Sequence, residues 1–315
     1  MKQITIKLLI IVSLVLFLYL LLQNINIEGF TDVIFKNWWA DPVIDSGTIA
    51  IFHKLFGDLK KYDTVEIHSV FKEALKEKDP KKLYVQYSGE AYYHEPSLYN
   101  INFIPIENTA NNIVFPLGSF QTLEHVHNKK YDINYFINKR KLDKHKPNFC
   151  LFCVSNGGCK ERNDFFNELS KYKKVDSCGK HLNNGVVCPG NHLSTEYFDF
   201  ISNYKFMICF ENTSKPNYFT EKLVNSYYSG SIPIYWGDPN ISKYINMDSI
   251  LYLKPGFTQQ DVDDLINKIK ELDTNDELYK EKYEQSFFKD GVLPDEFNLD
   301  KVKEKIETII EENDS

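Results

Sequence analysis

Lys222 and Arg162 are the cations of this sequence whose placement suggests chemistry rather than solubility. Lys222 stands in Thr220-Glu221-Lys222, the first turn of a helix predicted over YFTEKLVNSYYSG, just after the apolar strand KFMICF. A lysine at a helix amino terminus is locally unfavourable, because that end carries partial positive charge. An anion bound there offsets the cost, since free amides, dipole and ammonium then act together on a phosphate. The plain alternative is a Glu221–Lys222 pair in solvent. Arg162 holds the matching place, in the first turn of KERNDFFNELSKY after FCLFCVSN. Alone it reads as a surface residue. Two cations at equivalent strand–helix junctions read as a grip on a diphosphate, which then needs no metal to screen its charge. The chain offers no aspartate pair suited to a catalytic divalent ion, and Asp238 in WGDPN stands alone. The run Lys171, Lys173, Lys174 reads as a solvated face.

The complementary group is a carboxylate able to accept a proton. Glu90 ends KKLYVQYSGE, where Gly89 should let the backbone turn and set the acid at a cleft rim beside Tyr87, Tyr92 and Tyr93. A base must reach the hydroxyl it activates. His94, Glu95 and Glu107 compete for the role. Glu211 and Asn212 emerge at the end of KFMICF, and ligands of parallel sheets sit beyond the carboxyl ends of strands.

The elements that would position these groups fall into two series. From Asp32 to Phe120 the pattern predicts strands in DVIFKNWW, TVEIHSVF, KKLYVQYSG, INFIPI and NIVFPL, and helices in GTIAIFHKLFGDL and FKEALKEK. YDINYFINKRKLDKHK reads as a charged, helix-like connector and the linker. From Phe149 strands and helices alternate again: FCLFCVSN, KERNDFFNELSKY, KKVDSCG, STEYFDFISNY, YKFMICF, YFTEKLVNSYYSG with Gly230 at its stop, SIPIYWG, SILYLK and TQQDVDDLINKIKEL. An amphipathic helix over Asp295 to Glu312 is expected to pack across both halves. Strands alternating with helices imply parallel sheets with helices on both faces, here two doubly wound domains facing a cleft.

Composition narrows the class. The 315 residues are 43% hydrophobic, enough for large cores, and carry 37 Lys+Arg against 44 Asp+Glu, a net charge of −7. Such a chain has no general pull toward nucleic acid. No G-x-G-x-x-G follows an early strand, which argues against a dinucleotide oxidoreductase. Leu8 to Leu22 is uncharged and almost wholly apolar, with Lys2 and Lys7 before it and Glu28 and Asp32 after. No A-x-A-like site follows, so the segment reads as an uncleaved signal anchor with the body beyond the membrane. Cys150 and Cys153 form C-x-x-C, but with no second such pair and no H-x-x-x-H they read as core cysteines in a strand rather than a zinc site. A disulfide involving Cys159, Cys178 or Cys188 is the other reading, and the sequence leaves the pairing open.

The stretch FENTSKPNYFTEKLVNSYYSGSIPIYWG resembles the signature of the α-1,3-fucosyltransferases, glycosyltransferase family 10: F-E-N, then Y-x-T-E-K, a helix, and a strand and turn ending in glycine. FCLFCVSN with ERNDFFNELSKYKKVDSCGK is similar to a second family segment, LYVQYSGE to its G-E strand, and NWW to its opening strand. The likeness runs from about residue 33 to 255 and is strongest from Phe149 to Tyr244. It implies a GT-B fold of two Rossmann-like domains, an amino-terminal acceptor-side domain over 32–146 and a donor domain over 147–290. A cytosolic tail 1–7, an anchor 8–23, a short stem 24–31 and a final helix 291–315 complete the division. It further implies GDP-fucose as donor, an inverting reaction onto an oligosaccharide or glycoprotein acceptor, and no obligatory metal, Mn2+ being at most stimulatory. The implied setting is a single-pass type II membrane protein, Golgi lumen-facing in a eukaryotic cell. By this resemblance Arg162 and Lys222 meet the diphosphate, Asn212, Tyr218 and Glu221 line nucleotide and fucose, and Glu90 is the base; Glu221 is the second catalytic candidate, stabilising the cationic ring or holding the donor by its hydroxyls. The alternatives are a different nucleotide sugar as donor, or a catalytically inactive carbohydrate-binding membrane protein. Ala91 stands where the family usually has Asn, on the acceptor side, and Cys178 replaces a usual Gly.

Overall fold

In the computed structural model, which describes residues 31–38, 47–107, 109–127, 132–191 and 194–313, the chain builds two parallel sheets. The first has the order β1 (Asp32–Lys36), β2 (Thr64–His68), β3 (Lys82–Tyr87), β4 (Ile101–Phe103). The second joins β5 (Asn148–Phe152), β6 (Val175–Ser177), β7 (Tyr204–Ile208), β8 (Ile232–Tyr235) and β9 (Leu251–Tyr252) in the order β6-β5-β7-β8-β9. β5 and β7 are central and nearly continuous in apolar residues, as strands covered on both faces must be. Two apolar clusters flank this sheet. One holds residues of α4 (Lys160–Tyr172), α7 (Gln259–Thr274) and α8 (Asp276–Tyr283); the other holds residues of α5 (Thr195–Ile201) and α6 (Glu221–Tyr228).

The first sheet departs from the doubly wound expectation. Val65, Ile67, Leu83, Val85 and Tyr87 face one cluster with α1 (Gly47–Phe56), α2 (Leu117–His127) and α9 (Leu299–Glu312). The alternate residues Glu66, His68, Tyr84 and Gln86 are buried and mostly polar. The adjacent strand and the loop after β3 satisfy them: Gln86 Nε2 donates to Asn102 Oδ1 of β4 at 2.8 Å, and Gln86 Oε1 accepts the N–H of His94 in irregular chain at 2.6 Å.

FKEALKEK, expected as a helix, is irregular. Eight residues ending two before Pro80 offer too little apolar surface to hold a short helix down. The segment satisfies its backbone on side chains instead: the N–H groups of Leu75 and Asp79 donate to the hydroxyls of Tyr99 and Tyr84. NIVFPL forms no strand beyond two isolated bridges at Asn112, to Asn102 and Thr109, and α2 begins immediately after Pro116.

The connector is not a charged helix either. After α3 (Asn134–Ile137) it runs extended and docks through Arg140. That guanidinium lies between the Tyr227 and Tyr283 rings, 3.9 and 4.0 Å from their centroids, and donates to the carbonyls of Tyr283, Tyr227 and Ser231. Two of these carbonyls belong to the end of α6 and the turn after it, where positive charge is favoured. Gly230 sits in that turn with φ 79°, as expected for a helix stop.

The final helix starts at Leu299, capped by Asn298, and buries Val302, Ile306, Ile309 and Ile310 against the first sheet's core. Phe297 just before it stacks on Phe219 of the second half, so the segment does touch both halves. Among the described residues no helix is long and apolar enough to cross a membrane; Leu8 to Leu22 lies outside them.

The halves meet closely where α2 packs on α6. The Gly118 N–H donates to the Phe219 carbonyl at 3.1 Å, and a Cβ at Gly118 would overlap the Phe219 ring. Gly118→Ala is therefore expected to cost about 1–3 kcal/mol, read as a lower denaturant midpoint. An unchanged midpoint would show that this contact bears no load.

Candidate active site

The site grows from the end of β7. Beyond Ile208 the chain stays buried through Cys209, Phe210 and Glu211, tied to β8 by Cys209 N–H to Ile234 O (2.7 Å) and Glu211 N–H to Trp236 O (2.9 Å). Glu211 is fully buried, and its carboxylate accepts the Thr220 N–H at 2.7 Å and the Thr220 hydroxyl at 2.8 Å. It thus fixes the residue that caps α6. Gly237 leaves room for it; a Cβ there would lie 2.5 Å from Glu211 Cγ. Burial raises the Glu211 pKa, opposed by Lys222 and by the Thr220 hydrogen bonds.

Lys222 Nζ lies 3.0 Å from Thr220 Oγ1, 3.1 Å from Glu221 Oε1 and 3.5 Å from Glu211 Oε2. Its side chain is 24% exposed. Burial pulls its pKa down, but Glu221 and Glu211 outweigh burial and hold it above the usual lysine value. The ammonium is therefore permanently charged, and it is not a Glu–Lys pair in open solvent.

Arg162, read alone as a surface residue, is 1% exposed in the first turn of α4. Its Nη1 donates to the Phe210 carbonyl at 3.3 Å and its Nη2 to the Asn156 carbonyl at 2.5 Å, while Nε has no partner. Burial lowers its pKa, countered by Cys159, Glu211 and Tyr218. An arginine stays charged even so. Arg162, Asn212, Glu221 and Lys222 line one cavity of about 330 Å3, together with Cys153 and Asn156. That volume suits a small organic ligand. Tyr218 is 4% exposed and reaches the site through Asn212, whose Oδ1 accepts its hydroxyl at 2.9 Å.

The loop between Asn212 and Thr220 is held in a tight shape. Asn217 has φ 59°, its N–H donates to Asp238 Oδ1 at 3.0 Å, and its Oδ1 accepts the Tyr244 hydroxyl at 3.1 Å. Lys215 Nζ reaches the other half and donates to the Ala91 carbonyl at 2.7 Å. Asp238 is fully buried and also accepts the Asn240 N–H at 2.8 Å. Burial pushes its pKa up to about 6, against those two amide hydrogen bonds. Because the folded state binds the proton more tightly than the unfolded chain, this group's stabilisation is full below its unfolded pKa. It is lost as pH rises from about 4 to about 6, by up to ~3 kcal/mol. Asp238→Asn keeps an Oδ1 acceptor for both amides. The variant is expected to show a flatter denaturant midpoint than wild type across that window; parallel curves would remove Asp238 as the source.

Glu90 lies across the cleft and is half-buried, in a loop tied by Ser88, whose hydroxyl donates to the carbonyls of Tyr92 (2.6 Å) and Glu90 (3.2 Å). It is not in the cavity wall, but it is close enough to Lys222 and Glu221 to feel both. Burial raises its pKa, Lys222 opposes and Glu221 adds. Three sequence expectations change here. Gly89 takes no positive φ; a Cβ there would press on Leu117 at 3.3 Å, so packing rather than backbone freedom favours glycine. Tyr87 is fully buried in the first sheet's core, not at the rim, whereas Tyr92 and Tyr93 are 50% and 40% exposed. The competing groups are engaged elsewhere. His94 stacks on Tyr99, Glu95 accepts from Ser97, and exposed Glu107 pairs with Lys243 at 3.4 Å.

The sequence placed Glu211 at the ligand end of its strand but gave it no role, although it anchors the helix cap and the ammonium. The only signal was an acid directly continuing a run of apolar residues, a place where an unpaired charge could not survive.

Known proteins similar to this chain fall in one group. Residues 143–289 match the family model described as glycosyltransferase family 10 (fucosyltransferase) C-term. A protein of Acanthamoeba polyphaga mimivirus named as a fucosyltransferase is 38% identical over 177 residues, covering 54% of this chain and 28% of that protein. A Xenopus tropicalis protein named GDP-fucose protein O-fucosyltransferase 3 is 26% identical over 195 residues, 59% of this chain and 40% of that one. The crystal structure titled α1,3-fucosyltransferase with GDP-fucose superposes with a TM-score of 0.65 at 21% identity, covering 90% of each chain. This chain thus spans under half the length of these two curated relatives. Its sheets are those of the solved fucosyltransferase fold. The class to which these matches point is the glycosyltransferases. The family that residues 143–289 match is glycosyltransferase family 10, the fucosyltransferases.

Proposed function

We propose that this protein transfers L-fucose from GDP-fucose to a hydroxyl of a glycan, with inversion, in a GT-B arrangement of an acceptor-side half (32–146) and a donor half (147–290). The observation that carries the reading is that Arg162 and Lys222, from two separate strand–helix junctions, line one cavity. Glu90 of the other half lies within electrostatic reach of Lys222.

In this reading Glu90 takes the proton of the acceptor hydroxyl as that oxygen attacks the anomeric carbon. The bond to the β-phosphate oxygen breaks on the opposite face, and negative charge grows on the leaving GDP. Arg162, Lys222 and the amino terminus of α6 stabilise that charge. Asn212 and Tyr218 shape the pocket for the donor, and Glu221 holds Lys222 and faces the sugar. The solved neighbour's bound GDP-fucose supports the donor assignment. A second reading, transfer to a protein hydroxyl, is favoured by the relative named as a protein O-fucosyltransferase.

The test is incubation of the protein with a panel of nucleotide sugars and with N-acetyllactosamine, core-glycan and peptide acceptors, followed by linkage analysis. GDP-fucose consumption with an α-1,3 product on GlcNAc or glucose supports the first reading. A fucosylated peptide supports the second, and consumption of another nucleotide sugar overturns both. The reading also places a signal anchor at 8–23, tested by whether the full chain stays with membranes after alkaline washing.

A further inference from the structure

Three sulfurs from three segments converge beside the cavity. Cys178 follows β6 and is bonded to Cys188 as a disulfide. Cys153 follows β5, keeps a free thiol, and places its Sγ 3.5 Å from Cys188 Sγ. All three sulfurs lie within 4.8 Å of one another. Cys153 is itself part of the cavity wall that Arg162 and Lys222 line. The C-x-x-C partner Cys150 takes no part; it is buried in β5.

We propose that Cys153, Cys178 and Cys188 form an internal thiol–disulfide exchange set that reshapes this cavity. The Cys153 thiol loses its proton, and the thiolate attacks Cys188 Sγ, the nearer sulfur of the disulfide. The Cys153–Cys188 bond forms as the Cys178–Cys188 bond breaks, and Cys178 leaves as a thiolate that takes up a proton. One disulfide and one thiol stand on each side, so no outside oxidant or reductant is consumed. Cys178 and Cys153 are set by the sheet: the Cys178 N–H donates to the Phe152 carbonyl at 3.1 Å. Cys188 comes from irregular chain whose neighbour Val187 is 81% exposed, so it is the sulfur able to change partners. Burial keeps the Cys153 thiol protonated, eased by Tyr197 and Lys222. The exchange is therefore slow, on the scale of ordinary disulfide reshuffling. In the exchanged form the Cys153 sulfur is tied to the 178–191 segment and no longer faces the cavity freely.

The full chain, kept free of reductant at mildly alkaline pH, acid-quenched, alkylated and mapped by mass spectrometry, tests this directly. Wild type is expected to give both Cys178–Cys188 and Cys153–Cys188 peptides. Cys178→Ser should give only Cys153–Cys188 under oxidised glutathione, and Cys153→Ser only Cys178–Cys188. The wild-type arm needs no substitution and stands even if a variant fails to fold. Cys178–Cys188 alone in wild type, with free Cys153 and Cys188 thiols in Cys178→Ser, overturns the proposal. So do three free thiols holding a thiophilic metal in native mass spectra.

The effect on the cavity rests on the proposed GDP site. Cys178→Ser should bind GDP more weakly when linked than after reduction. Equal affinities remove the reshaping, while absent GDP binding in every form counts against the functional reading and leaves the mapped exchange standing.

Discussion

Glu90→Gln should leave GDP affinity nearly unchanged and lower turnover by roughly 10²-fold or more. The substitution keeps shape and removes only the basic lone pair, so the two quantities separate a base from a structural residue. Half-burial and Glu221 raise the wild-type pKa above the ordinary carboxylate value, with Lys222 limiting the rise. A base acts only when ionised. Wild-type kcat/KM should therefore fall as pH drops through that raised value and level off above it, and the acid limb should vanish in the variant's residual activity. Normal turnover in Glu90→Gln would reject the assignment and return attention to the exposed aromatic rim of Tyr92 and Tyr93.

Lys222→Ala should weaken GDP and GDP-fucose binding together, by about 10- to 100-fold, the size of one or two charge-assisted hydrogen bonds. The ammonium also balances Glu211 and Glu221, at 3.5 and 3.1 Å. Its removal takes from the fully buried Glu211 its nearest counter-ion, and that carboxyl should then take up a proton more readily. Some stability loss is expected for that reason. Glu211→Gln in the Lys222→Ala background supplies the control: it should recover stability but not GDP affinity. Isothermal titration with unchanged GDP binding in Lys222→Ala would show that the lysine serves the fold alone.

The strands and helices of the second half were legible because each has an unbroken local signal. KFMICF is apolar on both faces, Thr220 precedes a helical run, and Gly230 ends it. Their ends, once placed in one sheet, bring Arg162 and Lys222 to one cavity without further information. The first half was harder for a physical reason. FKEALKEK has helix formers, yet the tyrosine hydroxyls of neighbouring segments take its backbone. Local propensity there lost to long-range partners that no window of sequence contains. The connector failed in the same way: INKRKL around Arg140 read as part of a charged, helix-like linker, but the guanidinium slots between two tyrosines more than eighty residues away. Glu211 was hidden because a buried acid is readable only through its partners, and those lie on the next helix. The cysteine cluster was invisible for a similar reason, since Cys153 meets Cys178 and Cys188 only after β5 and β6 pair.

The path of the last helix has a consequence for how the molecule comes into being. Val302, Ile306, Ile309 and Ile310 complete the apolar core of a sheet whose first strand is Asp32–Lys36. During synthesis the first half must wait, with that greasy face uncovered, until nearly all of the second half has left the ribosome. A chain stopped before Leu299 would keep every cavity residue named above and still be expected to aggregate.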